Sequence, residues 1–324
     1  MKLKQRLYLK QFNFFMPLLA SLFLCYFTFI SPSQTVPYWL LLIGVVILGL
    51  YTTFKVFLSL VFVKRANQPL GRCFFGTLHT AKPHFALKNK AEEFATLAES
   101  LYEVTLICSN QNSALIELAR NPHYALTGTD AMYLNALEGL KSHDAGFTGL
   151  KALLQTSWSV TDGDSAMKAM QTLWQSVLRQ EEQMIASIPH FTKYDQCLRD
   201  FGYEINPQDT HVNSAGSDLV QFIWLTRACF TLGFINENET RNMLRAAAVY
   251  LAGNYQTWQQ LAYSYLITFI DWAARAKLDV LAYSLVKQRI FAVTQLFNDA
   301  NSPLHGVKLD ELRAFILAQG QEKQ

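Results

Sequence analysis

Four side chains near the middle of the chain have the types and spacing to do chemistry together: Asp209, His211, Asp218 and Arg227. The first two lie in the stretch 202–216 (GYEINPQDTHVNSAG), the longest segment without helical patterning. The other two lie on the helix predicted to follow it. A carboxylate near an imidazole is a general-base pair, and an arginine can hold an anion or a developing negative charge. Loops of this length inside compact domains often carry function. An enzyme of unspecified reaction, with these four as catalytic candidates, is therefore one reading of the chain. The plainer reading of Arg227 is a fold-fixing ion pair, because the rest of its helix face is apolar and a buried arginine needs a partner. Asp218, nine residues earlier, falls on the opposite face, which leaves Asp209 or Glu239 as partners.

Other chemistry is sparse. There is no HExxH, GxGxxG, P-loop or GxSxG motif and no paired Cys/His set, so neither a cofactor nor a metal is expected. Histidines at 79, 84, 123, 143, 190, 211 and 305 form no i,i+3 or i,i+4 pair and read as surface or capping residues. His143-Asp144 is an adjacent metal or base candidate in a predicted loop. Cysteines at 25, 73, 108, 197 and 229 are scattered, odd in number and without a CxxC, which suits a reducing compartment.

The elements that must position these residues are all helical. Val220, Ile223, Trp224, Arg227, Ala228 and Thr231 share one face of a helix over 217–232, ended by Gly233. Asn236 is an N-cap with Glu239 three residues on, and the helix it starts buries Leu244, Ala247, Ala248 and Leu251 before Gly253 ends it. A third helix carries Trp258, Leu261, Ala262, Tyr265, Phe269 and Trp272 on one wide face. That stripe reads as core, or, in a ligand-binding sensor, as a pocket or partner surface built on Trp258, Tyr265 and Trp272.

The order of an Asp218-led helix, Gly233-Phe234-Ile235, an Asn/Glu-rich helix start, then Trp258 and Tyr265 resembles a bacterial family known as domain of unknown function 1266. Trp158-Ser159-Val160-Thr161, opening a helix, also resembles that family's pattern. The resemblance covers roughly residues 150–272. Two positions depart from it: Gln221 stands where an Arg follows the Asp, and Thr268 where a Gly precedes the last Trp. The first departure removes an i,i+3 ion pair with Asp218. The resemblance implies a fold and no established activity.

Further helices are predicted over 91–107 (Phe94, Leu97, Ala98, Leu101 and Val104 inward), 113–119, and 130–140, the last capped by Asp130 with Met132, Tyr133, Ala136, Leu137 and Leu140 apolar. Others follow over 147–154, from an N-cap at Thr161 to about 188, and over 193–201, 281–297 and 308–318. The expectation is an all-α domain of about ten helices over 90–324, with a family-like core.

Charge divides the chain. Residues 1–72 hold eight Lys or Arg and no Asp or Glu; the remainder holds 28 − 8 = 20 basic against 25 acidic residues, a net of −5. The folded part is mildly acidic without a basic stripe, and nucleic-acid binding is not expected. The 19 uncharged residues 12–30 would span about 28 Å as a helix, close to the hydrocarbon thickness of a bilayer. A second apolar run, 38–63, follows a short polar turn and contains only Lys55, which can snorkel. Two transmembrane helices and a solvated linker over 64–89 are therefore expected. Basic residues before the first span and after the second place both termini and the main domain in the cytoplasm, at the bacterial inner membrane. The leading functional expectation is a membrane-anchored protein-interaction or regulatory module, one version being an immunity or adaptor protein of a toxin or secretion system. Its partners would be the lipid bilayer and an unidentified protein.

Overall fold

The computed structural model describes residues 46, 49–51, 83–107, 132–144, 146–275 and 280–321. The chain divides into two compact units, and nearly all described residues fall in the one formed by Leu70–Ala276 and Val286–Gln324. Ten α-helices have described bounds: α1 (Lys90–Ile107), α2 (Gly146–Trp158), α3 (Gly163–Gln180), α4 (Pro189–Thr192), α5 (Asp195–Asp200), α6 (Gly216–Thr231), α7 (Glu237–Asn254), α8 (Trp258–Arg275), α9 (Val280–Asn298) and α10 (Asp310–Gln321). Two isolated bridges, Ala86 with Ala136 and Met184 with Asn213, are the nearest approach to a strand among them. The domain is all-α.

Helix α6 sits at the centre and packs on α1, α3, α7 and α8. A helix that is apolar around nearly its whole circumference can only be stable inside, and Leu219, Val220, Phe222, Ile223, Trp224, Leu225, Ala228 and Cys229 are all buried. Its first residue must be glycine. A Cβ on Gly216 would lie 2.7 Å from the backbone nitrogen of Tyr265 and 2.5 Å from Ser264 Oγ. That close approach lets Ser264 Oγ accept from Gly216 N–H at 2.9 Å, locking α6 to α8. At the other end Gly233 takes φ 75°, and its N–H and that of Phe234 return to the carbonyls of Phe230 and Cys229. This Schellman arrangement satisfies the last carbonyls of α6 and turns the chain into α7.

The start of α7 follows the sequence signal: Asn236 accepts from Glu239 N–H while the Glu239 carboxylate takes the Asn236 N–H, both at 3.0 Å. Other boundaries differ. Gly253 does not end α7, which runs to Asn254 and is capped by Tyr255. The cap of α3 is Asp162 rather than Thr161, with Ser165 closing the reciprocal bond, and α3 ends at Gln180 rather than near 188.

The helix predicted over 130–140 is the main correction. Residues 132–140 are described and not helical, yet nearly all are buried. Apolar residues at helical spacing fill the interior here without a helix, because their carbonyls are claimed by a side chain far away in sequence. The linker expectation also changes at its end. Residues 83–89 are held by main-chain bonds: Glu138 accepts from His84 N–H at 2.5 Å and Phe85 N–H at 3.0 Å, and Phe85 carbonyl accepts from Leu137 N–H at 2.8 Å. The Phe85 ring meets the edge of Phe230 at 5.1 Å.

Among the described residues no helix is long and apolar enough to cross a membrane. The expected spans 12–30 and 38–63 lie outside the described residues, apart from residues 46 and 49–51, which are helical. The short helix expected over 113–119 also lies outside them.

Candidate functional site

The most unusual chemistry of the domain is built by α1. Its sequence carries Glu92, Thr96, Glu99 and Glu103 at spacings of four, three and four, which on a helix form one polar stripe. All four are buried. The stripe faces the centre because two arginines stand opposite it.

Arg227 of α6 has no exposed surface. Its Nη1 donates to Glu99 Oε2 at 2.6 Å. Its Nε donates to the Leu137 carbonyl at 3.3 Å, and its Nη2 to the carbonyls of Ala136 at 2.9 Å, Glu138 at 3.4 Å and Tyr133. The guanidinium thus replaces the missing helical hydrogen bonds of 132–140. Removing a guanidinium from water is tolerable only with such full pairing. The sequence reading expected a fold-fixing partner for Arg227, proposed Asp209 or Glu239, and missed Glu99.

Glu103 lies one turn beyond Glu99 and accepts from Met132 N–H at 2.9 Å through Oε2. Its Oε1, Glu99 Oε1, Ser100 Oγ and the indole N–H of Trp224 are buried without a hydrogen-bond partner. Burial, reinforced by the neighbouring Glu99 charge, pushes the Glu103 carboxyl up to about 8. Burial also raises Glu99, against the counteracting Arg227. Trp224 Nε1 lies close enough to lower Glu103's proton affinity but outside hydrogen-bonding geometry.

The second arginine, Arg241 of α7, is more open. It donates to Glu92, to Glu237 at 2.8 Å and to the Ala86 carbonyl at 3.1 Å. Lys88 reaches Glu237 at 2.9 Å from the exposed side.

The four catalytic candidates do not share a set of partners. Asp209 accepts from Thr257 Oγ1 at 3.0 Å. His211 is exposed. Asp218 accepts from Ser176 and Gln180 of α3, both at 2.6 Å. Arg227 is sealed with Glu99. What the loop 202–216 does organise is a polar junction around Asn213, which that reading did not single out. Asn213 Nδ2 donates to Tyr250 Oη and Asn254 Oδ1, its Oδ1 accepts from Tyr255 Oη at 2.7 Å and Ala215 N–H, and its carbonyl accepts from Ser264 Oγ. This network ties α6, α7 and α8 together.

The aromatic stripe splits. Trp258 is buried, stacks on Phe94 at 5.9 Å and donates to the Val307 carbonyl at 3.1 Å. Tyr265 is buried and accepts from Arg289, whose guanidinium lies over the Tyr102, Tyr265 and Phe269 rings. Trp272 is 40% exposed and tilts against Phe269. A surface cluster was also missed by the sequence reading: buried Asp271 accepts from Tyr194 Oη at 3.1 Å, and His190 Nε2 lies 2.7 Å and Arg275 Nε 2.9 Å from its carboxylate. His143 Nε2 stands 3.8 Å from Asp144, which already accepts from Tyr133 Oη and Lys141 N–H. Burial pushes the Cys229 thiol up to about 12 and Cys197 up to about 11, so neither is an activated nucleophile. Among the described residues no group of three or more His, Cys, Asp or Glu side chains could hold a metal ion.

The family model described as "Protein of unknown function (DUF1266)" matches residues 153–309. This segment belongs to that family. The match begins inside α2 and runs past Trp272 through α9, further than the resemblance read from sequence. The DUF1266 segment supplies Arg227, Arg241 and the Asn213 junction. Glu92, Glu99, Glu103 and the carbonyls of 132–140 all come from outside it. The two arginines therefore join the family core to the chain that precedes it. No curated protein and no solved structure matches the chain.

Proposed function

We propose that the chain is a membrane-anchored DUF1266 protein whose helical domain acts by binding or regulating a protein partner at the cytoplasmic face of a bacterial inner membrane. The observation that carries the reading is the use made of Arg227, Asp218 and Asp209. Each is bonded to a different part of the fold: Arg227 to Glu99 and 132–140, Asp218 to α3, and Asp209 to Thr257 just before α8. An immunity or adaptor protein of a toxin or secretion system is the specific form we favour, since such proteins act by shape and charge rather than by turnover.

The anchor rests on the two apolar runs, the acid-free first 72 residues and the basic flanks. Val46, Leu50 and Tyr51, described residues of the second run, are helical with exposed large apolar side chains, as lipid-facing positions would be. Topology is tested with paired C-terminal fusions: a fluorescent reporter that folds only in the cytoplasm is expected to light up, and a phosphatase active only outside it is expected to stay silent. The reverse pattern would overturn the orientation. For the partner, photocrosslinkers placed at Val249 and Leu317, both exposed, are expected to give a discrete adduct in intact cells. Smears or no adduct at either position would count against a binding role.

A further inference from the structure

Two carboxyl groups, one arginine and one indole N–H occupy the sealed space between α1, α6 and 132–140. The charge balance is the starting point. Arg227 can neutralise one carboxylate, and its 2.6 Å bond selects Glu99. Among the described residues, Glu103 is bonded by the main-chain N–H of Met132 and by no cation. A second naked carboxylate inside the domain is strongly disfavoured, whereas a protonated one is far better tolerated. Glu99 and Glu103 are one helical turn apart on α1, the spacing at which side chains meet, and each has an Oε1 without a partner. A proton shared between the two carboxyl groups would supply the missing donor. The unpartnered Trp224 N–H, 2% exposed, lies beside the same carboxyl group.

We propose that Glu99 and Glu103 form a proton-binding site in which a single shared proton holds 132–140, and through it residues 83–89, against the helical domain. Among the described residues, the groups facing the pair are Glu99 and Glu103 themselves on α1, the Met132 N–H of 132–140, Trp224 and Arg227 of α6, and Tyr265 of α8 with Arg289 of α9 bonded to it. Arg289 is occupied with Tyr265 and three rings, so Arg227 is the cation that balances the pair. When the proton leaves, the second carboxylate must reach water or compete for Arg227. The least costly route lifts 132–140, which has no helix or sheet of its own and is retained by the Arg227 donors. Residues 83–89 then lose Glu138 and Leu137 as partners. Since 83–89 are the end of the proposed linker from the membrane segment, the proton would set how firmly the domain grips its own tether. The site itself does not depend on the anchor, so failure of the topology test leaves it standing.

The test uses the full chain. Infrared spectra at neutral pH are expected to show a protonated carboxyl band that Glu103→Gln removes and that wild type loses as the pH rises past the site's titration. Amide exchange across 132–140 and 83–89, corrected for intrinsic base catalysis, is expected to accelerate about tenfold for each pH unit beyond that titration in wild type and to stay flat in Glu103→Gln. Absence of the band in wild type at neutral pH overturns the proposal even if the variant fails to fold. Equal acceleration in both proteins does so as well. A carboxylate signal that answers to added sodium, potassium or calcium rather than to pH would make it a cation site instead and overturn the proton reading.

Discussion

Arg227 on α6 and Arg241 on α7 both reach across to α1, take one of its glutamates, and extend their remaining donors to main-chain carbonyls of non-helical chain. They differ in access to water. Arg227 and Glu99 have fully buried side chains, while Arg241 bonds Glu237, whose side chain is 35% exposed and also meets Lys88 at the surface. The inner pair therefore acts where desolvation is complete and every unmade bond is costly. In the outer set Glu92 is buried as well, but it keeps the Lys88 N–H and the Asn89 side chain as donors, and water can replace the Glu237 and Lys88 contacts. One task, joining the DUF1266 segment to what precedes it, is divided between a sealed contact and a forgiving one.

The largest expected difference comes from truncating each arginine. Arg227→Met should destabilise by about 3–5 kcal/mol, since it strands Glu99 and four carbonyls. Arg241→Met should cost about 1–2 kcal/mol. Equal denaturation midpoint shifts would erase the distinction. Next is the pH response of the inner pair. Folding raises the Glu103 pKa above its ordinary value, so its contribution is fully present below the ordinary carboxylate range and is lost as the pH climbs toward about 8. Glu103→Gln should therefore be more stable than wild type above neutrality, by several kcal/mol, whereas Glu99→Gln, which takes the carboxylate from Arg227, should be less stable than wild type there. Urea titrations at three pH values separate the two, and a shared sign would break the argument.

Gly216→Ala, at the far end of α6 from Arg227, should cost about 1–3 kcal/mol by forcing α6 from α8. It should leave the ratio between the arginine variants unchanged in double mutants; coupling to Arg227 alone would show that the inner contact depends on helix placement. Asn236→Ala should cost about 1 kcal/mol by fraying the start of α7, and should couple to Arg241 and not to Arg227. Salt sharpens the contrast last. Raising ionic strength from about 0.1 M to about 1 M contracts screening from ~10 Å to ~3 Å, and should shrink the Arg241 effect while sparing that of Arg227.

Local signals were legible wherever the physics was local. The Asn236–Glu239 box and the Gly233 terminus needed only a few neighbouring residues, and both stand as read. The same reading placed a helix on 130–140, because Met132, Ala136, Leu137 and Leu140 match the helical template. What overrides the template is Arg227, some ninety residues later, and no window around 132–140 contains it. Glu99 and Glu103 escaped for a related reason. Glutamates beside an apolar stripe are normally the solvated face of a helix, and only the arrival of α6 on that face reverses this. For the candidate site, Arg227 was recognised as an anomaly while its partner was sought on the wrong elements. Asp209, His211 and Asp218 are close in sequence, but Thr257 bonds the first and α3 side chains bond the last.

Glu138 joins residues 83–89 to the domain through two amide hydrogens rather than through any side chain of theirs. An attachment made that way is blind to which amino acids occupy positions 84 and 85 so long as each keeps its N–H. Point changes there should drift freely apart from proline, and from loss of the ring at Phe85. Adding or deleting a single residue would instead shift every amide out of register with the carboxylate. The length of this stretch, more than its spelling, is what the architecture constrains.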